Sequence, residues 1–242
     1  MVQHRKTRTV TPLNIHVAPN RPSPNTRLSI EVVHDLICPW CYLGTRRLLR
    51  TLRRRPDIHA ELIWRPFLLN PDMPRGGMAR DDYVIRKFCG EERARRLYAS
   101  IADIGRIEGI TFRFDRILRT PSSIDAHRLV RWVVRQQPSL SMAAVEAVFH
   151  AHFTDGVDIG DPAALAGLAG QLGLNTIEAY AYLSADTDAE AVHADNLRAH
   201  RIGINGVPCF VIAGRHAIAG AQDAEVIERL LDVALVEANE GF

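Results

Sequence analysis

The stretch from Asp35 to Gly44, Asp-Leu-Ile-Cys-Pro-Trp-Cys-Tyr-Leu-Gly, constrains this chain more than any other. Ahead of it, Leu28-Ser29-Ile30-Glu31-Val32-Val33 alternates apolar and polar residues, the period of a half-buried strand. Behind it, Thr45 to Arg55 sets leucines at 48, 49 and 52 among arginines, the stripe of an amphipathic helix. Two cysteines three positions apart therefore fall where a strand hands over to a helix. Pro39 takes the first helical position, where its fixed φ suits the helix and its missing N–H is not needed.

That placement has chemical consequences. Cys38 faces the unpaired N–H groups and the positive end of the helix, which favour a thiolate, so it is the expected nucleophile. Cys41, one turn deeper, is the expected resolving thiol, able to close an intramolecular disulfide and release a mixed-disulfide partner. A zinc site would want four ligands, commonly from a second Cys-x-x-Cys or a histidine pair. The two remaining cysteines, Cys89 and Cys209, are isolated in sequence, and no metal is expected.

The 242 residues allow one large domain or a core domain with a sizeable insertion. No apolar run approaches the ~18 residues that cross a bilayer. A net charge of +2 without a charged tail gives no reason to expect nucleic acid, and neither it nor a membrane is an expected partner. Residues 1–26 are basic and rich in proline and read as a flexible tail. Within them Val10 to Val17 is broken by Thr11, Pro12, Asn14 and His16, so the apolar core of a secretory signal, ~7–15 residues, is missing. A cytoplasmic location is expected, and there a disulfide is more often transient and catalytic than structural.

Further along, His59 to Phe67 reads as a second strand ended by Pro66, and residues 68–77 are dense in turn formers. From 79 to 201 the period is helical, with helices expected over 79–104, 123–136, 141–154, 162–172, 175–184 and 188–201. Asp161-Pro162 looks like an N-cap and first-turn proline, and Asn175 with Glu178 has capping-box spacing. Strands return at 206–212 and 216–220 around the tight turn Ala213-Gly214-Arg215, and a last helix runs from Asp223 to Val236. The order β-α-β, helical insertion, β-β-α is an α/β chain with the thioredoxin layout. Its thioredoxin-like part would be 27–78 and 202–242, with 79–201 spliced between the halves.

Several separated motifs then add to this reading: Asp35 with Cys38 to Gly44, Trp64-Arg65-Pro66-Phe67 with Asn70-Pro71-Asp72, Asp125-Ala126-His127-Arg128-Leu129, and Gly203 to Pro208 with Gly220-Ala221-Gln222. In that order they resemble the DsbA-like branch of the thioredoxin superfamily, closest to its FrnE-like oxidoreductases, relatives of 2-hydroxychromene-2-carboxylate isomerases and kappa-class glutathione transferases. The resemblance implies a thiol-disulfide oxidoreductase with Cys38, Pro39, Trp40, Cys41 and Pro208 as its catalytic set. It implies a cis-proline loop at Val207-Pro208 facing the redox pair, whose Val207 backbone pairs with substrate. Trp64, Phe67 and His127 are its further candidate substrate contacts. It also implies no bound cofactor, with glutathione a candidate reductant or co-substrate. The partners would be protein or small-molecule thiols and disulfides, met by a monomer or a homodimer.

Ser122-Ser123 departs from the Asn-Thr pair that the resemblance would place there. Cys209 should point inward as an inert thiol, and Cys89, on an arginine-rich helix, should be packed or idle, with an exposed regulatory thiol as the other reading. Two other readings stand beside the first. One is a glutathione-dependent isomerase or transferase acting on a small aromatic substrate, a branch that tends to carry serine in place of Cys38. The other is a non-enzymatic peptide-binding holdase, whose binding would survive serine at both Cys38 and Cys41.

Overall fold

Leu28, Ile30 and Val32 are buried in alternation along β1 (Arg27–His34), as the sequence period requires. The computed structural model describes residues 27–240, and the expected tail, 1–26, lies outside them. After β1 the chain forms α1 (Pro39–Arg53) and returns as β2 (His59–Pro66), parallel to β1 with Arg27 opposite His59 and His34 opposite Pro66. The last strands, β5 (Cys209–Ile212) and β6 (His216–Ala219), form a hairpin, and β5 lies antiparallel to β1. The sheet order is β2-β1-β5-β6, the order and strand directions of a thioredoxin sheet.

Between β2 and β5 lie a two-residue ribbon, β3 (Met78–Ala79) with β4 (Arg119–Thr120), and the helices α2 (Arg80–Phe88), α3 (Glu91–Ile107), α4 (Ile124–Gln136), α5 (Ser141–His150), α6 (Pro162–Gln171), α7 (Thr176–Ser184) and α8 (Ala189–Arg201). The chain closes with α9 (Ala224–Glu240). None of the helices among the described residues is long and apolar enough to cross a membrane.

One helix expected over 79–104 is two. Cys89 sits at φ +57 and Gly90 at φ +139, a conformation that a helix cannot carry and that glycine adopts without penalty. The charged run Glu91-Glu92-Arg93 continues the helical composition across the break and hides it. The helix expected over 141–154 likewise stops at His150 and gives way to a π turn, Ala151–Asp155. Both N-caps read from sequence form: Asp161 Oδ1 accepts the Ala163 N–H at 2.9 Å, and Asn175 Oδ1 accepts those of Ile177 and Glu178.

Three apolar clusters hold these parts together. Leu48 of α1 and Ile227, Leu231 and Leu235 of α9 cover one sheet face. Val33, Cys209 and Phe67 meet Ala199 of α8 on the other. The largest cluster joins the start of α1 to the helices of the insertion, with Leu36, Cys41 and Tyr42 packed among Phe112, Trp132, Phe149 and Phe153. Tyr42 stacks on Phe149 at 5.0 Å and donates its hydroxyl to Glu146 at 2.8 Å, so the helix that bears the cysteines shares its core with the insertion.

One buried cation organises the far end of the insertion. Arg128 is 0% exposed. Its guanidinium donates to the carbonyls of Tyr182 (2.8 Å), Leu183 (3.0 Å), Ala185 and Thr187 (2.7 Å), and to Asp125 at 2.5 Å. It thereby satisfies the orphan carbonyls at the C-terminus of α7 and in the connection to α8.

Candidate active site

Cys38 is the N-cap of α1, and Pro39 opens the helix. The Cys38 N–H donates to the Asp35 carbonyl at 3.0 Å, and its own carbonyl accepts the N–H groups of Cys41 and Tyr42. The loop 35–38 is thus wound onto the helix start. Cys38 and Cys41 are both free thiols. Cys38, 4% exposed, lies on the wall of a cavity of about 250 Å³, with its Sγ 4.0 Å from the Val207 carbonyl. The Val207–Pro208 peptide bond is cis.

Cys41, one turn deeper, is 0% exposed. Burial pushes its thiol well above the ordinary value, and the adjacent Cys38 pushes the same way. Its Sγ accepts the backbone N–H of Asp35 at 3.4 Å. The Asp35 side chain is also enclosed. Its Oδ1 accepts the Ile37 N–H at 3.2 Å, its Oδ2 accepts the Leu69 N–H at 2.7 Å, and His127 Nε2 stands 3.8 Å from Oδ1. Burial opposes ionisation of this carboxyl, but the His127 ring and the Leu69 N–H outweigh it and hold Asp35 below the usual carboxylate range. His34 beside it is pushed down to about 3, first by burial and then by His127, and is neutral.

The cavity takes Ile37, Cys38, Pro39 and Trp40 from the helix start and Val207 from the loop before β5. Its far wall comes from the insertion: the rings of Tyr83, Phe88, Tyr98 and Phe114, with the cations Arg80 and Lys87. The Arg80 guanidinium lies 4.8 Å over the Tyr98 ring and donates to Thr120 at 3.1 Å. His152, brought in by the π turn, also lines this space. Burial, with Arg80 adding to it, pushes His152 down to about 4, so the ring is neutral, with Nδ1 3.3 Å from the Val157 carbonyl.

Of the residues singled out in the sequence, Cys38, Pro39, Trp40 and Val207 meet in the cavity, and Pro208 stands against Gly44 of α1. Trp64 and Phe67 do not line this cavity. Phe67 continues β2 by donating its N–H to the His34 carbonyl and is buried against Val33, Ile204 and Cys209. Trp64 turns to His34 and to a separate groove shared with Val130 and Val134. From that segment Leu69 reaches the cavity instead. His127, 1% exposed, lies behind the cysteines against Asp35 and outside the cavity wall. Cys209 is buried, and burial pushes its thiol up. Cys89 is exposed at the end of α2. The sequence reading missed Arg80, Tyr83 and Lys87. They recur at i, i+3 and i+7 on one face of α2, a signal that was present but had no partner in sequence to give it meaning.

Gly44 lets α1 and the Pro208 loop approach. A Cβ there would come within 2.8 Å of Pro208 Cγ and 3.2 Å of the Phe210 ring, neither of which is a yielding chain end. Gly44→Ala is therefore expected to destabilise the fold by about 1–3 kcal/mol despite alanine's better helix propensity. Urea denaturation checks this, and an unchanged or higher midpoint would show that the contact is not tight.

A sequence profile of the DSBA-like thioredoxin domain family matches residues 29–232. No curated protein matches the chain in sequence. Among solved structures, a probable DsbA oxidoreductase from Streptomyces coelicolor is 28% identical with a TM-score of 0.78, covering 87% of this chain and 91% of that one. A putative protein disulfide isomerase from Nitrosomonas europaea is 19% identical (TM-score 0.66, covering 88% and 99%). The cytosolic disulfide reductase DsbM from Pseudomonas aeruginosa is 20% identical (TM-score 0.58, covering 88% and 98%). The last two speak to the fold alone.

Proposed function

The chain belongs to the family of DsbA-like thioredoxin domains, and from that premise we propose that it is a thiol-disulfide oxidoreductase working through Cys38 and Cys41. The Cys38 thiolate attacks a substrate disulfide, forming a Cys38 mixed disulfide and releasing one substrate thiolate. Cys41 then attacks Cys38, closing the Cys38–Cys41 disulfide and releasing the second thiolate, so the substrate gains the two electrons that the dithiol loses. Run backwards, the same steps oxidise a substrate dithiol.

The observation that carries this reading is the unequal placement of the two thiols. Cys38 borders an open cavity at a helix N-terminus, while Cys41 is sealed one turn below it. A nucleophile must meet substrate and a resolving thiol must be kept from it. The Val207 carbonyl beside Cys38 offers a backbone partner to a bound thiol or peptide. The aromatic and cationic wall favours substrates with an apolar body and negative charge. Glutathione as recycling reductant and a cytoplasmic setting are parts of the same proposal.

The test is an equilibrium titration of the purified protein in glutathione buffers, with the state of the pair read by alkylation and mass. A reversible two-electron transition of Cys38 and Cys41, abolished in Cys38→Ser, is the expected result. A pair that never closes, or a stable Cys38–glutathione adduct and nothing else, would sink the proposal and favour a glutathione-dependent isomerase or transferase.

A further inference from the structure

One arginine of α1 ties the insertion to the loop that follows β6. Arg47 lies one turn after Gly44. Its Nε donates to Glu108 Oε1 at 2.8 Å, and one terminal nitrogen donates to the Ala221 carbonyl at 2.7 Å and pairs with Asp223 at 2.8 Å. Glu108 follows α3, the helix of the insertion that gives Tyr98 and Ile101 to the cavity wall. Ala221 and Asp223 belong to the connection between β6 and α9.

Glu108 is in a place that a carboxylate does not favour. Its side chain is 3% exposed, and it stands at the C-terminus of α3, the negative end of the helix. Arg47 from one side and Arg50, at 2.7 Å, from the other offset both the burial and the dipole. A buried carboxylate gripped in this way fixes the direction of the planar Arg47 fork, and with it the point at which the other arm delivers its hydrogen bond.

That arm reaches the candidate site through two contacts. Ala221 Cα lies 3.4 Å from where a Gly44 Cβ would stand, on the same patch of α1 as Pro208 Cγ. The adjoining Gly220 donates its N–H to the Pro208 carbonyl at 2.7 Å. Gln222 closes the loop on itself, with its N–H on the Gly220 carbonyl at 2.9 Å and its side-chain amide on that of Ala219 at 2.8 Å. The loop pinned by Arg47 therefore holds Pro208 against α1. The carbonyl that stands 4.0 Å from Cys38 Sγ belongs to the peptide bond entering Pro208.

We propose that Arg47, aimed by Glu108, is a positioning residue for the substrate edge at Val207, so that the insertion governs through this pair how the Val207 carbonyl faces Cys38. The inference rests on the dithiol reading above and concerns its first step, capture of a disulfide by Cys38. Arg47 touches neither substrate nor sulfur and acts through Ala221 and Pro208. A peptide disulfide has backbone N–H groups that can donate to the Val207 carbonyl while Cys38 attacks. A disulfide without such donors gains nothing from that carbonyl. Slackening the loop should therefore slow the first kind of substrate and spare the second.

The test compares two disulfides in reduced protein carrying Cys41→Ser, which stops the reaction at the Cys38 mixed disulfide, and Cys89→Ser, which removes the exposed thiol. One is the disulfide-linked dimer of a short cysteine peptide, and the other is dithiobis(nitrobenzoate), which has no amide. Growth of each Cys38 adduct is followed by mass. Arg47→Lys keeps the charge but cannot span Glu108 and Ala221 as the fork does. It is expected to slow capture of the peptide disulfide about tenfold or more, with capture of dithiobis(nitrobenzoate) unchanged. Glu108→Gln, which releases the fork from its carboxylate, is expected to act in the same direction and carries the comparison if the lysine variant does not fold. A loss of folded protein alone would scale both rates together. Equal slowing of the two disulfides in a folded variant, or slowing of neither, overturns the inference and leaves the dithiol reading intact. Failure of Cys38 to form either adduct before Arg47 or Glu108 is changed overturns both.

Discussion

Arg128→Leu is expected to lower the free energy of unfolding by about 3–5 kcal/mol, the cost of removing one partner from a buried ionic cluster. The leucine fills part of the volume but leaves Asp125 and the carbonyls of Tyr182, Leu183, Ala185 and Thr187 without the donor that a fully buried side chain brings them. A domain of this length has on the order of 5–15 kcal/mol in total, so the variant gives up a large part of its stability. Arg128→Lys should recover only a minor share, because an ammonium is a point donor and cannot span carbonyls that a planar fork reaches together. Urea unfolding of the three proteins checks the order. A lysine variant as stable as the parent would show that charge alone, and not the fork, holds the end of α7.

Acid is expected to begin destabilising the protein below about pH 6.5, before its carboxylates titrate. His34 and His152 are held at about 3 and about 4 by burial, against 6.5 for a free histidine. Above pH 6.5 both are neutral folded or unfolded, and their stabilities are unaffected by pH. Below it the unfolded chain binds two protons that the folded chain refuses, so stability falls with pH, by up to about 1.4 kcal/mol per unit for each histidine. The loss reaches several kcal/mol by about pH 4. Asp35, held below its usual range, acts in the same direction at lower pH still. Urea midpoints measured between neutral pH and pH 4 test this, and His152→Phe should flatten the slope. A parent whose midpoint does not move above pH 5 would show that both rings are protonated within the fold at little cost.

The sequence was most informative where structure is local. The alternation of β1, the proline after Cys38 and the caps of α6 and α7 are decided by neighbours a few residues away, and each could be read. The handover from strand to helix that places Cys38 at an N-terminus was legible for the same reason. What escaped was decided by contact across the fold. Nothing near Arg80, Tyr83 or His152 says that residues 38 and 207 lie opposite them. Trp64 and Phe67 belong to a recognisable motif, but which face they take depends on how far β2 runs before the chain turns, and that is set by its pairing with His34. The break at Cys89-Gly90 was hidden because helical composition continues on both sides of it. Asp35 stood within the most informative stretch of the chain, and only enclosure by Leu69 and His127 gives its carboxylate a setting.

The distance along the chain between Cys38 and Val207, 169 residues, also bears on how the protein is made. β1 lies in the middle of the sheet, yet the strand that covers one of its edges, β5, is the next to last to be synthesised. At roughly 5–20 residues per second, a ribosome needs on the order of ten to thirty seconds to travel from one to the other. Through that interval the nascent chain carries both thiols and one open strand edge, with neither the Val207 loop nor β5 to cover them. The two thiols are thus at their most accessible before the cavity that encloses Cys38 exists.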